Sequence, residues 1–251
     1  MLLPLARALP WKHLLPPMVS LSKRSYQKEL LDGDAIPFAD IQQNMKELNT
    51  INTYLGGHAI SIAGLKKIVQ HFSLKKITIC EIGCGGGDNL LAINKWCMRQ
   101  NIEASFIGID INQACIDFAK TQCHSLKAIW VTDNYANECF ADGKPDIIFS
   151  SLFCHHFNEA ELIPMLYWMR YHAVKGFFIN DLQRHPLAYY SIKIITRLFS
   201  SSYLVKNDAP LSVARGFAKK EWQDVFSKAG IIKYAIQWKW AFRYLIVYCN
   251  G

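Results

Sequence analysis

A glycine-rich turn at residues 79–89 constrains the fold of this chain more than any other feature. A β-branched run reaches Ile82, glycines follow at positions 83, 85, 86 and 87, and a helical pattern begins at about residue 89. Glycines let a chain turn sharply and bring bare amides against a ligand at a helix N-terminus, whose dipole favours electron-rich groups. The turn therefore predicts a site for a nucleotide-like cofactor.

The spacing of these glycines differs from the dinucleotide-binding fingerprint G-x-G-x-x-G. Counted from Gly83, the third glycine position holds Asp88, and counted from Gly85 it holds Leu90. The turn therefore indicates a nucleotide-like cofactor that is not held by this dinucleotide fingerprint.

From residue 76 onward, short β-branched runs alternate with longer helical patterns, which is typical of βα units on a parallel sheet. The last two β-rich runs are joined almost without a loop, which favours an antiparallel pair at one sheet edge. Asp88 and Asn112 are expected to cap the helices that follow them. The strands are expected at 77–82, 105–111, 128–132, 146–151, 176–180, 231–240 and 242–248, and the helices at 89–99, 113–122, 159–171 and 219–229.

Composition divides the chain into three regions. Residues 1–28 contain five basic residues and no acid, and we expect a flexible extension there. Residues 29–75 have apolar residues at helical spacing and predict a helical cap, while residues 76–251 form the main α/β domain. An insertion at 182–220 is expected to cover a site, because sites of open α/β sheets lie outside the carboxyl ends of the strands.

The formal net charge of +8 is concentrated in the N-terminal extension. Residues 29–251 carry only about +3, too little to indicate a nucleic-acid partner. Four prolines interrupt the apolar start, so we expect neither a clean signal peptide nor a membrane span. The eight cysteines include no C-x-x-C pair, and free thiols in a cytoplasmic protein are expected.

The turn matches the motif E/D-x-G-x-G-x-G of class I S-adenosylmethionine-dependent methyltransferases, which this chain resembles. Glu81, Gly83, Gly85 and Gly87 take the motif positions, and the second strand ends in Asp110, an acid that in this family holds both ribose hydroxyls. The resemblance implies a Rossmann-like fold with a mainly parallel seven-stranded sheet, a C-terminal antiparallel hairpin and helices on both faces. It implies S-adenosyl-L-methionine as the cofactor, bound by Glu81, Gly83, Cys84, Gly85, Gly87, Asp110, Ile111, Asp133, Asn134, Ser150 and Arg24.

The resemblance also implies what several of these residues do. Asp133 and Asn134 stand where the family reads adenine, and Ile111 lies against the adenine face. Ser150 falls at the edge of the cofactor crevice, and Arg24 pairs with the methionine carboxylate. A helical cap with solvated charge is the alternative interpretation of the segment around Arg24.

Methyl transfer from a sulfonium requires alignment of the nucleophile, the methyl carbon and the sulfur, and a base for a hydroxyl nucleophile. His155 and His156 follow the fourth predicted strand and are the expected catalytic residues, because a neutral imidazole titrates near working pH. The other interpretation is that one histidine caps the next helix while the other faces solvent. Ser150 and Ser151 stand where metal-assisted catechol methyltransferases carry an acid, so no metal is expected.

The insertion combines aromatic residues with isolated polar groups, which suits a small aromatic substrate. Phe153, His185, Tyr189 and Arg215 are the expected acceptor-binding residues. His185 is also an alternative base, and Arg215 either grips a carboxylate or phenolate or forms a surface salt bridge. In these segments the chain looks like bacterial small-molecule methyltransferases of polyketide or aromatic-pigment pathways.

The predicted function is methyl transfer to a hydroxyl of a small aromatic or polyketide-like molecule. No Asn/Asp-Pro-Pro-Tyr/Phe motif follows the fourth strand, which argues against methylation of amide or adenine nitrogens. The alternatives are methylation of carbon or nitrogen on a similar acceptor, methylation of RNA or protein, and a non-catalytic cofactor-binding subunit. The oligomeric state stays open.

Overall fold

A central seven-stranded sheet organises the computed structural model, which describes residues 20–33, 36–140 and 143–251. The strands are β1 (Lys76–Ile82), β2 (Glu103–Asp110), β3 (Ala128–Thr132), β4 (Ile147–Ser151), β5 (Gly176–Leu182), β6 (Ala235–Lys239) and β7 (Arg243–Cys249). They lie in the order β3-β2-β1-β4-β5-β7-β6. The first five strands run parallel, and β7 pairs antiparallel with β5 and β6. The predicted sheet is therefore confirmed.

Helices cover both faces of this sheet. They are α1 (Phe38–Tyr54), α2 (Gly57–Phe72), α3 (Asp88–Arg99), α4 (Gln113–Gln122), α5 (Glu159–His172), α6 (Pro186–Phe199), α7 (Tyr203–Arg215) and α8 (Lys219–Lys228). Side chains alternate between the two faces along each strand. Phe177 and Phe178 of β5 accordingly pack into separate buried clusters on opposite faces. Strands β4 and β5 are buried on both sides, as their near-continuous apolar runs predict, whereas the edge strand β3 is partly exposed.

Two of the predicted element boundaries are wrong. The N-cap of α3 is Gly87, in the left-handed region at φ 75°, whereas Asp88 is the first helical residue and its carboxylate lies 2.7 Å from Nε2 of His58. Strand β6 begins at Ala235 rather than Ile231, because Ile231 is buried in the core directly after α8. The predicted cap of α4 is confirmed.

The N-terminal helices and the insertion form the covering layers. Helix α2 lies close against the sheet at Gly64, where an added Cβ would meet the Phe178 ring at 2.6 Å. The predicted insertion contains α6 and α7, which pack against each other beside α1. Residues 1–19 of the predicted extension lie outside the described residues. None of the helices among the described residues has the length and apolar character that a membrane crossing requires.

Candidate active site

A cavity of about 1130 Å³ lies at the carboxyl ends of the parallel strands. The turns after β1, β2 and β4 form its floor, and side chains of α1, α6, α7 and the β6–β7 hairpin form its other walls. A smaller cavity of about 120 Å³ shares Gly83, Asp110, Ile111 and Phe153 with it and is also lined by Asp133 and Asn134. The volume of the larger cavity exceeds the usual range of about 300 to 1,000 Å³ for a site that holds one small molecule.

The glycine turn forms one end of the cavity. Gly83, Gly85 and Gly87 all have φ between 50° and 75°, in the left-handed region that favours glycine. An added Cβ at Gly83 would lie 2.2 Å from the Phe153 ring. The turn therefore requires glycine at position 83 for two independent reasons, a backbone angle and a side-chain contact.

Asp110 ties the glycine turn to the end of β2. Its Oδ2 accepts a hydrogen bond from the Gly85 amide at 2.8 Å, and its Oδ1 accepts one from the Asn112 amide at 2.9 Å. Burial raises the pKa of this carboxyl, and the two amide bonds only partly oppose that rise. Each carboxylate oxygen keeps a second lone pair for a ligand.

Several buried polar atoms around the turn lack a partner within the described residues. They are Oε2 of Glu81, Oδ1 of Asn89 and Nδ2 of Asn44, and all three residues line the cavity. Burial raises the pKa of Glu81 well above its ordinary value, and the negative charges of Asp88 and Asp110 add to the rise. Unpaired buried polar atoms are costly, so this end of the cavity fits a ligand with both donors and acceptors.

Arg243 adds a buried positive charge to the wall. Its side chain is fully enclosed, and Nη2 donates to Oδ1 of Asn52 at 3.1 Å while Nε and Nη1 have no partner within the described residues. Burial lowers the pKa of Arg243 to about 10, against the opposing effect of Asp181 and Asp88. The guanidinium is therefore charged at neutral pH and has two free donors for an anion.

The two histidines follow β4 in a short 3-10 turn and line the cavity. Nδ1 of His155 lies 2.8 Å from Oδ1 of Asp181, and Nδ1 of His156 lies 3.3 Å from Oδ1 of Asp32. Both Nε2 atoms face the carboxylate of Glu29, at 3.5 Å from His155 and 3.7 Å from His156. Two imidazoles and three carboxylates are thus concentrated in one wall.

The carboxylates change how His155 titrates. Burial alone lowers the pKa of His155, but the negative charges of Asp181 and Glu29 and the hydrogen bond to Asp181 outweigh it and raise the pKa to about 9. Burial likewise raises the pKa of Asp32, but His156 and the Glu29 amide outweigh it and hold the pKa at about 2. At neutral pH, and without a bound ligand, His155 is therefore protonated.

Residues 79–176 match a family model described as a methyltransferase domain. This segment holds the glycine turn, Asp110 and both histidines. Residues 79–176 thus match a methyltransferase domain, and the sheet has the Rossmann-like fold of class I methyltransferases.

Solved methyltransferase structures share the fold of this chain at low sequence identity. The plantazolicin methyltransferase BpumL, solved with a triazolic desmethylPZN analog and SAH, has a TM-score of 0.63 and 15% identity, covering 85% of this chain and 90% of its own. The magnesium protoporphyrin IX methyltransferase of Synechocystis PCC 6803 with bound SAM has a TM-score of 0.53 and 12% identity, and the match covers 88% of each chain. A SAM-dependent methyltransferase of Aquifex aeolicus has a TM-score of 0.55 and 16% identity, and the match covers 85% of this chain and 98% of that one. A comparison with curated protein sequences finds no match.

The fold brings most of the predicted site residues together. The large cavity is lined by Glu81, Gly83, Cys84, Gly85, Asp110, Ile111, Phe153, His155 and His156, and the smaller one adds Asp133 and Asn134. Six predicted residues line neither cavity: Arg24, Gly87, Ser150, His185, Tyr189 and Arg215.

The two arginines of that group bind backbone instead of facing the cavity. Arg24 donates from Nε to the Arg215 carbonyl at 2.8 Å and from Nη2 to the His155 carbonyl at 3.1 Å, and its guanidinium lies over the Phe217 ring. Arg215 is buried and donates to the carbonyls of His155 and His156 at 3.2 and 2.9 Å. Both arginines therefore hold the histidine turn in place.

The other four make contacts with neighbouring residues without lining a cavity themselves. Gly87 is the N-cap of α3, the Ser150 hydroxyl lies 3.2 Å from Sγ of Cys154, and Tyr189 packs in a small cluster between α6 and α7. His185 caps α6 and stacks on Phe242 with ring centroids 4.7 Å apart. Sequence reasoning did not assign a role to several residues that line the cavity, namely Glu29, Asp32, Asn44, Asp208 and Arg243.

Proposed function

We propose that this protein is a class I methyltransferase that transfers the methyl group of S-adenosylmethionine to a hydroxyl of a small, largely apolar acceptor. The observation that carries the proposal is one cavity with a glycine turn and Asp110 at one end and an imidazole–carboxylate wall beside it. S-adenosylmethionine supplies the methyl group, and its C–S bond breaks with the electron pair left on sulfur as the acceptor oxygen forms the new C–O bond. The residues of this chain bind the donor and the acceptor, orient them, and remove the proton from the acceptor hydroxyl.

The adenosine part of the donor is assigned to the turn and the smaller cavity. The second lone pairs of the Asp110 carboxylate suit two ribose hydroxyls. Asp133 and Asn134 are proposed to bind adenine, and Ile111 to pack on it. The unpaired atoms of Glu81 and Asn44 support binding of a polar group above the turn.

The methionine carboxylate is assigned to Arg243 rather than to Arg24. Arg243 lines the cavity with two free, buried donors, whereas the guanidinium of Arg24 binds backbone carbonyls. A hydrogen bond between a charged guanidinium N–H and a carboxylate is roughly twice as strong as one between neutral groups, so a free donor of Arg243 suits this group.

His156 is the proposed base. Its Nδ1 faces Asp32, its Nε2 is directed toward Glu29, and the ring lines the cavity with about a quarter of its surface exposed. His155 is fully enclosed, and its pKa of about 9 leaves it protonated at neutral pH, so we propose that it positions its neighbours. Nε2 of His156 then accepts the hydroxyl proton, and the imidazolium formed is stabilised by the two carboxylates.

The acceptor compartment is assigned to the apolar side chains opposite the turn. Helix α6 presents Ala188, Ile192 and Ile195 at helical spacing, and the β6–β7 hairpin adds Trp240 and Phe242. Such a wall favours an aromatic or alkyl-substituted acceptor over a charged macromolecule.

Methyl transfer to a panel of phenols, matched anilines and carbon nucleophiles tests the proposal. We expect label from the donor on phenolic oxygen, and we expect His156→Ala to lower kcat by roughly 10² to 10⁴ without changing donor affinity. His124→Ala, which removes an exposed histidine beyond α4, is the matched control. Transfer only to nitrogen or carbon, or only in the presence of RNA or a protein, would show that the acceptor is assigned wrongly.

A further inference from the structure

Among the residues that the structure describes, one group of three side chains has the composition and spacing of a metal site. Glu29, His155 and His156 each offer a ligand atom, and these atoms lie within 4.8 Å of one another. All three residues line the large cavity. The group is separate from the glycine turn and Asp110, where the donor is assigned.

The distances inside this group are too long for ordinary hydrogen bonds. N–H···O bonds in proteins usually span about 2.7 to 3.2 Å. Nε2 of His155 lies 3.5 Å from Oε1 of Glu29, and Nε2 of His156 lies 3.7 Å from its Oε2. An ion with bonds of about 2.1 Å to tetrahedral ligands separates those ligands by about 3.4 Å. The observed gaps are close to that spacing.

The opposite side of each imidazole is occupied by a carboxylate. Asp181 holds Nδ1 of His155 at 2.8 Å, and Asp32 holds Nδ1 of His156 at 3.3 Å. Metal-binding histidines almost always donate the other ring N–H to a carboxylate or carbonyl, which fixes the tautomer and aims the free nitrogen at the ion. His155 shows this arrangement with Asp181, Nδ1 of His156 faces Asp32 at a longer distance, and both Nε2 atoms point at the same carboxylate.

Further contacts orient Glu29 and Asp32. Oε1 of Glu29 accepts a hydrogen bond from the Ser212 hydroxyl at 2.7 Å, and Oδ2 of Asp32 lies 3.4 Å from Nη1 of Arg215. The backbone amide of Glu29 donates to Asp32 at 3.1 Å. These bonds hold the Glu29 carboxylate in front of both imidazoles without supplying a partner for their Nε2 atoms.

We propose that Glu29, His155 and His156 bind one divalent transition-metal ion through a carboxylate oxygen and two Nε2 atoms. Two imidazoles and one carboxylate suit Zn²⁺ or Fe²⁺, whereas Mg²⁺ and Ca²⁺ prefer oxygen ligands alone. Because the ligands lie on the cavity wall, the ion keeps coordination positions that face the cavity, as catalytic metal sites do.

This site differs from the expectation of no metal drawn from the sequence. That expectation considered only the strand end at Ser150 and Ser151, whereas Glu29 reaches the histidines from the N-terminal segment. Local spacing around His155 and His156 carries no information about a ligand more than a hundred residues away.

The catalytic role of the ion rests on the proposed function. The ion, held by Glu29, His155 and His156, would act as a Lewis acid that lowers the pKa of an acceptor hydroxyl. When the ion is bound, Nε2 of His156 is a metal ligand and is not the base. The ion, rather than His156, then activates the acceptor hydroxyl.

Metal titration of the full chain, stripped with a chelator, tests the site. We expect calorimetry to show one Zn²⁺ per chain, no binding of Mg²⁺, and visible d–d absorption of a tetrahedral or five-coordinate ion on addition of Co²⁺. Glu29→Gln and His156→Ala should abolish these signals, and Asp181→Asn should weaken the affinity about 10- to 100-fold. His124→Ala, which changes a histidine outside the group, should bind metal as the unsubstituted chain does.

Binding of S-adenosylhomocysteine, measured on the same samples, separates the two proposals and reports that each variant is folded. A stripped chain that binds this ligand but neither Zn²⁺ nor Co²⁺ overturns the metal site and leaves the proposed function standing. Equal metal affinity in Glu29→Gln, His156→Ala and the unsubstituted chain also overturns it. Metal binding lost in the variants, without any binding of S-adenosylhomocysteine, supports the metal site and contradicts the proposed function.

Discussion

Arg243 illustrates how a single buried side chain can indicate a ligand. A charged group without partners in a protein interior is strongly unfavourable, so it is retained where an anion completes it. The guanidinium has one bond to Asn52 and two free nitrogens at the cavity wall. Its pKa of about 10 keeps the charge at neutral pH. The residue is therefore better placed than Arg24 to bind the carboxylate of the donor.

Replacing Arg243 with methionine should selectively weaken ligands that carry a carboxylate. Loss of charged hydrogen bonds costs about 1.5 to 3 kcal/mol, which corresponds to roughly 10- to 150-fold in Kd for S-adenosylhomocysteine. Methylthioadenosine lacks the amino-acid part, so its Kd should not change. Calorimetry with both ligands measures the difference, and Arg99→Met, an exposed substitution on α3, is the control. Equal losses for the two ligands would count against the assignment.

The pair of His155 and Asp181 predicts how stability depends on pH in protein kept metal-free with a chelator. The pKa of His155 rises from 6.5 to about 9 on folding, so its contribution is complete below pH 6.5 and is lost as the pH rises through 9. The pKa of Asp181 is lowered: burial opposes this, but His155 outweighs it. The contribution of Asp181 to the free energy of unfolding is therefore present above pH 3.8 and is lost as the pH falls below that value.

Urea unfolding between pH 6.5 and 9 should therefore show a free energy of unfolding that decreases as the pH rises. Asp181→Asn removes the carboxylate that raises the pKa of His155, so this decrease should become smaller in the variant. The same slope in both proteins over this range would mean that the ion pair does not set the titration of His155.

At the scale of elements, residue patterns within a segment predicted the helices and strands that form from interactions within that segment. The strands and α3, α4 and α5 are confirmed within a few residues, because β-branched runs and helical spacing act within each segment. Asp88 was expected as an N-cap, but its carboxylate is used by His58 of α2, a residue distant in sequence, and glycine takes the cap. The position of Asp88 in the sequence could not reveal that His58 would bind its carboxylate.

The turn between β1 and α3 gives a prediction at this scale. Gly83→Ala should lower the melting temperature and weaken donor binding, because the residue has φ 66° and its Cβ would overlap Phe153. Gly230→Ala separates the two effects, since Gly230 has φ 60° and no atom within 4 Å of an added Cβ. Thermal unfolding should show a clearly greater loss for Gly83→Ala, and equal losses would show that the contact with Phe153 is unimportant.

At the scale of the whole molecule, the site is assembled from segments that are far apart in sequence. The glycine turn, Asp110 and the histidines were identifiable because each follows a predicted strand, and carboxyl ends of parallel strands meet at one edge. Glu29 and Arg243 come from the N-terminal segment and the last strand, and only the folded chain brings them to the same cavity. Arg24 and Arg215 were predicted to bind ligands, but their donors are used by backbone carbonyls.

The most direct test of the central claim is calorimetric titration of the full chain with S-adenosylhomocysteine. The account predicts one site per chain, weakened by about 1.5 to 3 kcal/mol in Asp110→Ala because hydrogen bonds from the ribose hydroxyls to a charged carboxylate are lost. Asp117→Ala, which removes an exposed acid on α4, should bind as the unsubstituted chain does. Absence of heat with S-adenosylhomocysteine, together with binding of a nicotinamide dinucleotide, would contradict the account.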